Sequence, residues 1–157
     1  MYRKSVLEEV GGHNPEFIKS QDSDINYRIR QKGYKLLRNP KAIQTYYPRE
    51  LRAGGKYGIK EFAKQIFWYG FAKAFFLKKH PRAIKEQLRT LAPLVLLLGF
   101  PIWLSIYLVL TSVFAFQVLW RTGNLAIGLT SYIMFYVEHL SYGAGYLYAL
   151  LGGKFNV

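Results

Sequence analysis

Thirty consecutive residues, Leu91 to Trp120, carry no charge. Few folds accept such a run. A helix rises about 1.5 Å per residue, so crossing a hydrocarbon core of about 30 Å takes about twenty residues. The run reads as a first membrane span, with Pro93 and Pro101 at its entry or at a kink. Gln117 and Trp120 suit the far interface, where amphipathic side chains collect. Arg121-Thr122-Gly123-Asn124 then reads as a tight polar turn, and Leu125 to Leu151 as a second span ending at Gly152-Gly153-Lys154. The expected architecture here is a two-helix transmembrane hairpin, 91–120 and 125–151.

The rest of the chain is the opposite in character. Residues 1–90 hold 20 of the 22 Lys and Arg and 8 of the 9 Asp and Glu, a net of +12. Residues 91–157 keep only Arg121, Lys154 and Glu138. A mean hydropathy close to zero averages two unlike halves. Basic residues concentrate on the cytoplasmic side of spans, so both termini are expected in the cytoplasm and the chain in the cell membrane, multi-pass. The pI near 9.9 would suit nucleic acid. A basic segment joined to a lipid-like one meets anionic headgroups instead, at about 1 kcal/mol per Lys or Arg near the surface. Membrane lipids are thus expected partners, and nucleic acid is not. There is no Cys, which excludes disulfides and thiolate metal sites. The opening MYRKSVLEEVGG has no apolar core, so no signal peptide is read there.

Glu138-His139 interrupts the second span. A charge at mid-bilayer costs about 2.5–3.5 kcal/mol on insertion scales, so such residues face protein or water. Two readings stay open: a contact to a lipid-linked substrate or an outside helix, or a hydrogen bond inside the helix pair with Glu138 protonated or paired. Gly128, Gly143, Gly145, Ala144 and Ala149 would allow close helix approach.

Residues 1–55 read as an α/β fragment. Ser5 to Val10 is expected to be helical, with Ser5 as cap and Glu8 at the capping-box position, stopped by Gly11-Gly12. Ser20 or Asp22 would cap a second helix over 22–32, ended by Gly33, with Asp24 and Arg28 paired four residues apart. Residues 34–37 and 42–47 resemble short strands. Residues 56–80 have the spacing of an amphipathic helix, interrupted at Gly70, and 56–90 are expected at the membrane interface. Fifty-five residues cannot bury much core, so the water-facing part looks incomplete.

The informative stretch is GGHNPEFIKSQDSDINYRIRQKGYKLLRNP, followed by YYPRE, KQIFWYGFAKAFFLKKHP and LAP. In order and spacing it resembles the C-terminal part of the catalytic domain of membrane-bound family-2 glycosyltransferases, which have the GT-A fold. It is most similar to the succinoglycan-biosynthesis-type glucosyltransferases. The resemblance covers residues 2–93 and extends weakly to 139–147. It implies an inverting transfer from a nucleotide-sugar to an acceptor hydroxyl on a polysaccharide or lipid-linked acceptor. Asp22 matches the aspartate of the family's Glu-Asp pair, the general base, with Gln21 in place of the usual Glu. A carboxylate can take the hydroxyl proton if it lies within hydrogen-bond reach. Asp24 and Arg28 take a supporting role behind it. Gln65 matches the first position of the family's Gln-x-x-Arg-Trp motif, and Trp68 and Tyr69 fall on the last two. The family's diphosphate-holding Arg is therefore missing, with Lys64 or Lys73 loose substitutes and Arg49 a further candidate for phosphate. His13 pairs with neither His80 nor His139 at ligand spacing, so no metal site is read.

The family binds Mg or Mn through an Asp-x-Asp motif in an N-terminal half. Asp22-Ser23-Asp24 has those letters but matches the later base motif. No cofactor is therefore expected on this chain, and Mg or Mn only with the missing half. The expectation is a C-terminal fragment, a truncated reading frame or one piece of a split enzyme, inactive alone and completed by a separate N-terminal half or another membrane subunit. The alternative is a non-catalytic membrane adaptor derived from such an enzyme. The 56–80 helix would link Asp22 to the spans.

Overall fold

The computed structural model describes residues 2–17, 19–37, 39–43, 45, 58–91 and 100–154. The chain divides into two units, Met1–Gly58 and Ile59–Val157.

The first unit contains α1 (Lys4–Glu9) and α2 (Gln21–Gln31). Both end as their glycines predict. After α2, Gly33 adopts φ 86° and donates to the Arg30 carbonyl, while the Tyr34 N–H reaches Ile29. The same paired bonds close α1 at Gly11 and Gly12, onto Glu8 and Leu7. This double bond satisfies carbonyls the helix leaves open, and it needs a left-handed residue that glycine supplies without a Cβ clash. The acids Asp22 and Asp24 lie in the first turn of α2 and Arg28 and Arg30 in its last, matching the helix dipole. Phe17, Ile25, Tyr27 and Ile29 form the buried apolar core of this unit.

The helix starts differ from expectation. The residue capping α1 is Arg3, one position before the helix begins at Lys4, and no side chain caps it, so the Ser5–Glu8 capping box does not form. Ser20 occupies the cap of α2, again without a side-chain bond, and Gln21 rather than Asp22 opens the helix. The expected strand at 34–37 is absent, and no strand occurs among the described residues. A strand exists only through a partner's backbone hydrogen bonds, and none is supplied there. Leu37 and Ile43 consequently lie exposed. Residues 44, 46 and 47 of the second expected strand lie outside the described residues. The described residues are mostly helical, and nothing among them supports the α/β expectation for residues 1–55.

Among its described residues the second unit has three long helices, α3 (Ile59–Lys79), α4 (Phe100–Thr122) and α5 (Leu125–Leu150), with a 3-10 helix at Pro81–Leu91. The turn between α4 and α5 forms as read: Gly123 takes φ 63°, and the Asn124 side chain caps α5 by accepting from Ile127 N at 3.2 Å. Gly70 does not interrupt α3. The helix runs through it, and the glycine is buried against α5. A Cβ on Gly70 would stand 2.0 Å from the Tyr142 carbonyl oxygen, and one on Gly145 would stand 1.9 Å from that of Phe67. Each helix thus places a glycine on the other's backbone. Ala74 and Ala149, four residues further along each helix, are also buried. Lys78 Nζ donates to the Ala149 carbonyl at 3.0 Å. Lys78 lies about 12 Å along α3 from Gly70 at 1.5 Å per residue, so this bond requires α3 and α5 to run in the same direction. Small residues at i and i+4 on both helices are the usual means of such close approach.

Among the described residues, one helix is long and apolar enough to cross a membrane, over Ser105–Thr122 of α4. α5 is 26 residues long and carries Glu138 and His139 within it. Of the expected two-span hairpin, the described residues support one candidate span, on α4. α5 is also the helix that holds α3.

Candidate functional site

The four residues that open α2 carry the candidate chemistry, and its two aspartates have opposite environments. Asp24 is 1% exposed. Its Oδ2 accepts from Arg28 Nε at 2.9 Å and from Nη2 at 2.6 Å. The same guanidinium donates to the Gly12 carbonyl through Nη2 at 2.7 Å and to the Val10 carbonyl through Nη1. One Arg therefore neutralises a buried carboxylate and satisfies the carbonyls where α1 ends. The planar fork makes this possible, and Lys has no equivalent. The pairing of Asp24 with Arg28 is as expected from sequence; its extension to the Gly11-Gly12 turn was not legible there, because the carbonyls lie 16 and 18 residues away. Breaking a buried pair leaves an uncompensated charge. Arg28→Ala and Asp24→Ala should each destabilise the fold by about 3 kcal/mol, and the double variant by little more than either alone, as chemical denaturation would read.

Asp22 is exposed and makes no hydrogen bond or ion pair among the described residues. It sits in the first turn of α2, where helix N-termini favour anions. Gln21 beside it is also exposed. Immediately before them, Ser20 is held at φ 60° and ψ 28°. A left-handed conformation in a non-glycine residue costs on the order of 1 kcal/mol or more, and such strain clusters at functional sites. Ser20→Gly should stabilise the chain by about 0.5–1 kcal/mol, read as a raised denaturation midpoint. Elsewhere in this unit, Tyr2 donates to Asn26 at 2.8 Å and Tyr34 to the Glu9 carboxylate at 2.6 Å. That carboxylate raises the Tyr34 pKa above the ordinary phenol value.

The second group of expected residues lies on α3, in the other unit. Gln65 Nε2 donates to the Tyr69 hydroxyl at 3.0 Å, and both belong to one outer face. Trp68 turns elsewhere. Its ring meets Phe67 edge-on at 5.1 Å and Phe71 at 5.4 Å, and both those rings approach Tyr148 of α5. Lys64 is exposed, whereas Lys73 is half-buried and donates to Gln87 at 3.0 Å. Arg49 lies outside the described residues. His13 is exposed, and His80 packs on the Phe76 ring. No group of three metal-capable side chains occurs among the described residues.

Glu138 and His139 separate. His139 Nδ1 lies 3.0 Å from the Tyr107 hydroxyl of α4 and 2.7 Å from the Phe135 carbonyl. Glu138 is exposed. Sequence reading missed the partners of this network: Thr111, 3% exposed, meets the Tyr136 hydroxyl at 3.2 Å, and Tyr136 donates to Tyr132 at 3.1 Å. A signal was present, since Tyr132, Tyr136 and His139 recur at helical spacing.

Two curated proteins are similar to this chain. One is the dolichyl N-acetyl-alpha-D-glucosaminyl phosphate 3-beta-D-2,3-diacetamido-2,3-dideoxy-beta-D-glucuronosyltransferase of Methanococcus voltae, 34% identical over 76 residues. That alignment takes in 48% of this chain and 22% of the relative. The other is the succinoglycan biosynthesis protein ExoA of Rhizobium meliloti (strain 1021), 30% identical over 94 residues. It takes in 60% of this chain and 26% of that protein. The chain thus spans about a quarter of the length of the relatives it matches. No protein-family profile matches it, and no solved structure does. The two relatives support a glycosyltransferase relationship for this chain.

Proposed function

We propose that the chain forms the acceptor and base side of a membrane-bound family-2 glycosyltransferase, which moves a sugar from a nucleotide-sugar to a polysaccharide or lipid-linked acceptor. The observation that carries this reading is the division between two carboxylates in one helical turn. Asp24 is buried and spent on Arg28, whereas Asp22 stands exposed without a partner among the described residues. A general base must be free to meet a substrate hydroxyl, and a structural carboxylate must not be. Asp22 takes the proton of the acceptor hydroxyl as its oxygen bonds to the anomeric carbon. The bond from that carbon to the diphosphate breaks, and the nucleoside diphosphate leaves with the electron pair. By resemblance alone, Gln65, Trp68, Tyr69 and Arg49 match positions the family uses for acceptor and diphosphate. α4 anchors the chain, α5 returns beside it, and both termini face the cytoplasm.

Mg or Mn, which the family uses at the diphosphate, does not fit the residues described here. The Asp22-Ser23-Asp24 triplet offers one available carboxylate, because Asp24 Oδ2 is bonded to Arg28. No step on this chain is assigned to a metal.

Co-expression with a nucleotide-sugar-binding half of a family-2 enzyme tests the reading. Transfer from UDP-hexose that requires both halves, and that Asp22→Asn removes, is the expected result. Transfer by the other polypeptide alone, unaffected by Asp22→Asn, would favour the adaptor reading.

A further inference from the structure

Cations cluster in sequence where α3 ends and the 3-10 helix follows. Lys78, Lys79, Arg82 and Lys85 fall within eight residues and are all exposed, against one acid nearby, Glu86. In a 3-10 helix, residues three apart eclipse, so Arg82, Lys85 and Leu88 share an edge. Ala83 is wholly buried, which turns that edge outward. Beside the cations in sequence stand two exposed apolar side chains, Ile84 at 45% and Leu88 at 61%. The element is fixed in place: Lys73 on α3 is bonded to Gln87, and Lys78 to the end of α5 at Ala149. The α3–α5 seam at Gly70 and Gly145 makes this a rigid corner, at the same end of α5 as Lys154. Cations interleaved with exposed aliphatic groups match the boundary between headgroups and acyl chains.

We propose that this corner, formed by Lys79, Arg82, Lys85, Ile84 and Leu88, is a binding site for anionic phospholipid headgroups. The cations meet the phosphate, and Ile84 and Leu88 enter the acyl region just below it. The proposal rests on the membrane-bound part of the functional reading and is independent of catalysis.

The test uses the whole chain in nanodiscs of phosphatidylcholine with a minority of phosphatidylglycerol. The ratio of the two lipids that remain bound after mild detergent extraction is then measured by mass spectrometry. The wild type should enrich phosphatidylglycerol, and 1 M salt should weaken the enrichment, because the screening length falls to about 3 Å. Lys79→Gln, Arg82→Gln and Lys85→Gln together should lower the enrichment at least about fivefold. Lys32→Gln, Lys35→Gln and Lys41→Gln remove the same charge from exposed positions in the first unit and should leave it unchanged. Equal loss in both triple variants, or no enrichment in the wild type, overturns the proposal. Failure of the chain to enter nanodiscs at all overturns the membrane reading with it.

Discussion

Asp22→Asn in the completed enzyme should lower sugar transfer by about 10²–10⁴-fold, the usual contribution of a positioned general base. Asparagine keeps the size of the side chain and cannot take the proton. The fold should barely change, because Asp22 is exposed and unbonded among the described residues. The only expected stability cost is the lost interaction with the helix N-terminus, about 0.3–1 kcal/mol. Asp24→Asn provides the contrast. Its activity should fall together with folding, since the Arg28 guanidinium would face a neutral partner in a buried position. Paired measurements of transfer rate and denaturation midpoint separate the two roles. If Asp22→Asn retains full transfer while Asp24→Asn folds normally and loses it, the base has been assigned to the wrong aspartate.

The largest stability effect should come from the seam between α3 and α5. Gly145→Val or Gly70→Val would drive a side chain into a backbone carbonyl that a single Cβ already approaches to about 2 Å. Neither neighbour is a flexible side chain that can swing aside. The helices would have to move apart by more than an ångström, which separates Ala74 from α5 and breaks the Lys78–Ala149 bond. Overpacking typically costs about 1–3 kcal/mol, and a rigid backbone neighbour places this case at about 3 kcal/mol or more. Thermal unfolding in detergent should show the loss. Gly70→Ala with Gly145→Ala should cost less than the sum of the singles, because one separation of the helices relieves both clashes. Gly128→Ala is a milder control. Its Cβ would stand 3.0 Å from Leu119 Cβ, about 1 Å further than at Gly70 or Gly145, so a shift of a few tenths of an ångström relieves it.

The same contrast runs through the relation between sequence and structure. Features set by neighbours in the chain were legible. The Gly11-Gly12 and Gly33 stops, the Asp24–Arg28 pair and the Asn124 turn depend on local hydrogen bonds and on conformations that only some residues adopt. Features that need a distant partner were not. The 34–37 segment has a strand's composition, but composition supplies no second strand. Gly70 reads as a break because glycine weakens an isolated helix, by about 1 kcal/mol relative to Ala. In the folded chain that cost is outweighed by the contact the missing side chain permits. His139 found its Tyr107 partner 32 residues away, on another helix.

The uncharged run from Leu91 to Trp120 and the charge imbalance on either side of it were determined by sequence alone. They predict an apolar helix, which the structure shows over Phe100–Thr122, because length, charge and hydropathy act through solvent and need no tertiary partner. Tertiary structure decided what stands beside that helix. It gave α5 a glycine face that seats α3, and it divided Asp22 from Asp24 by burying one and leaving the other open. Two aspartates separated by one residue are chemically identical until packing assigns each its surroundings.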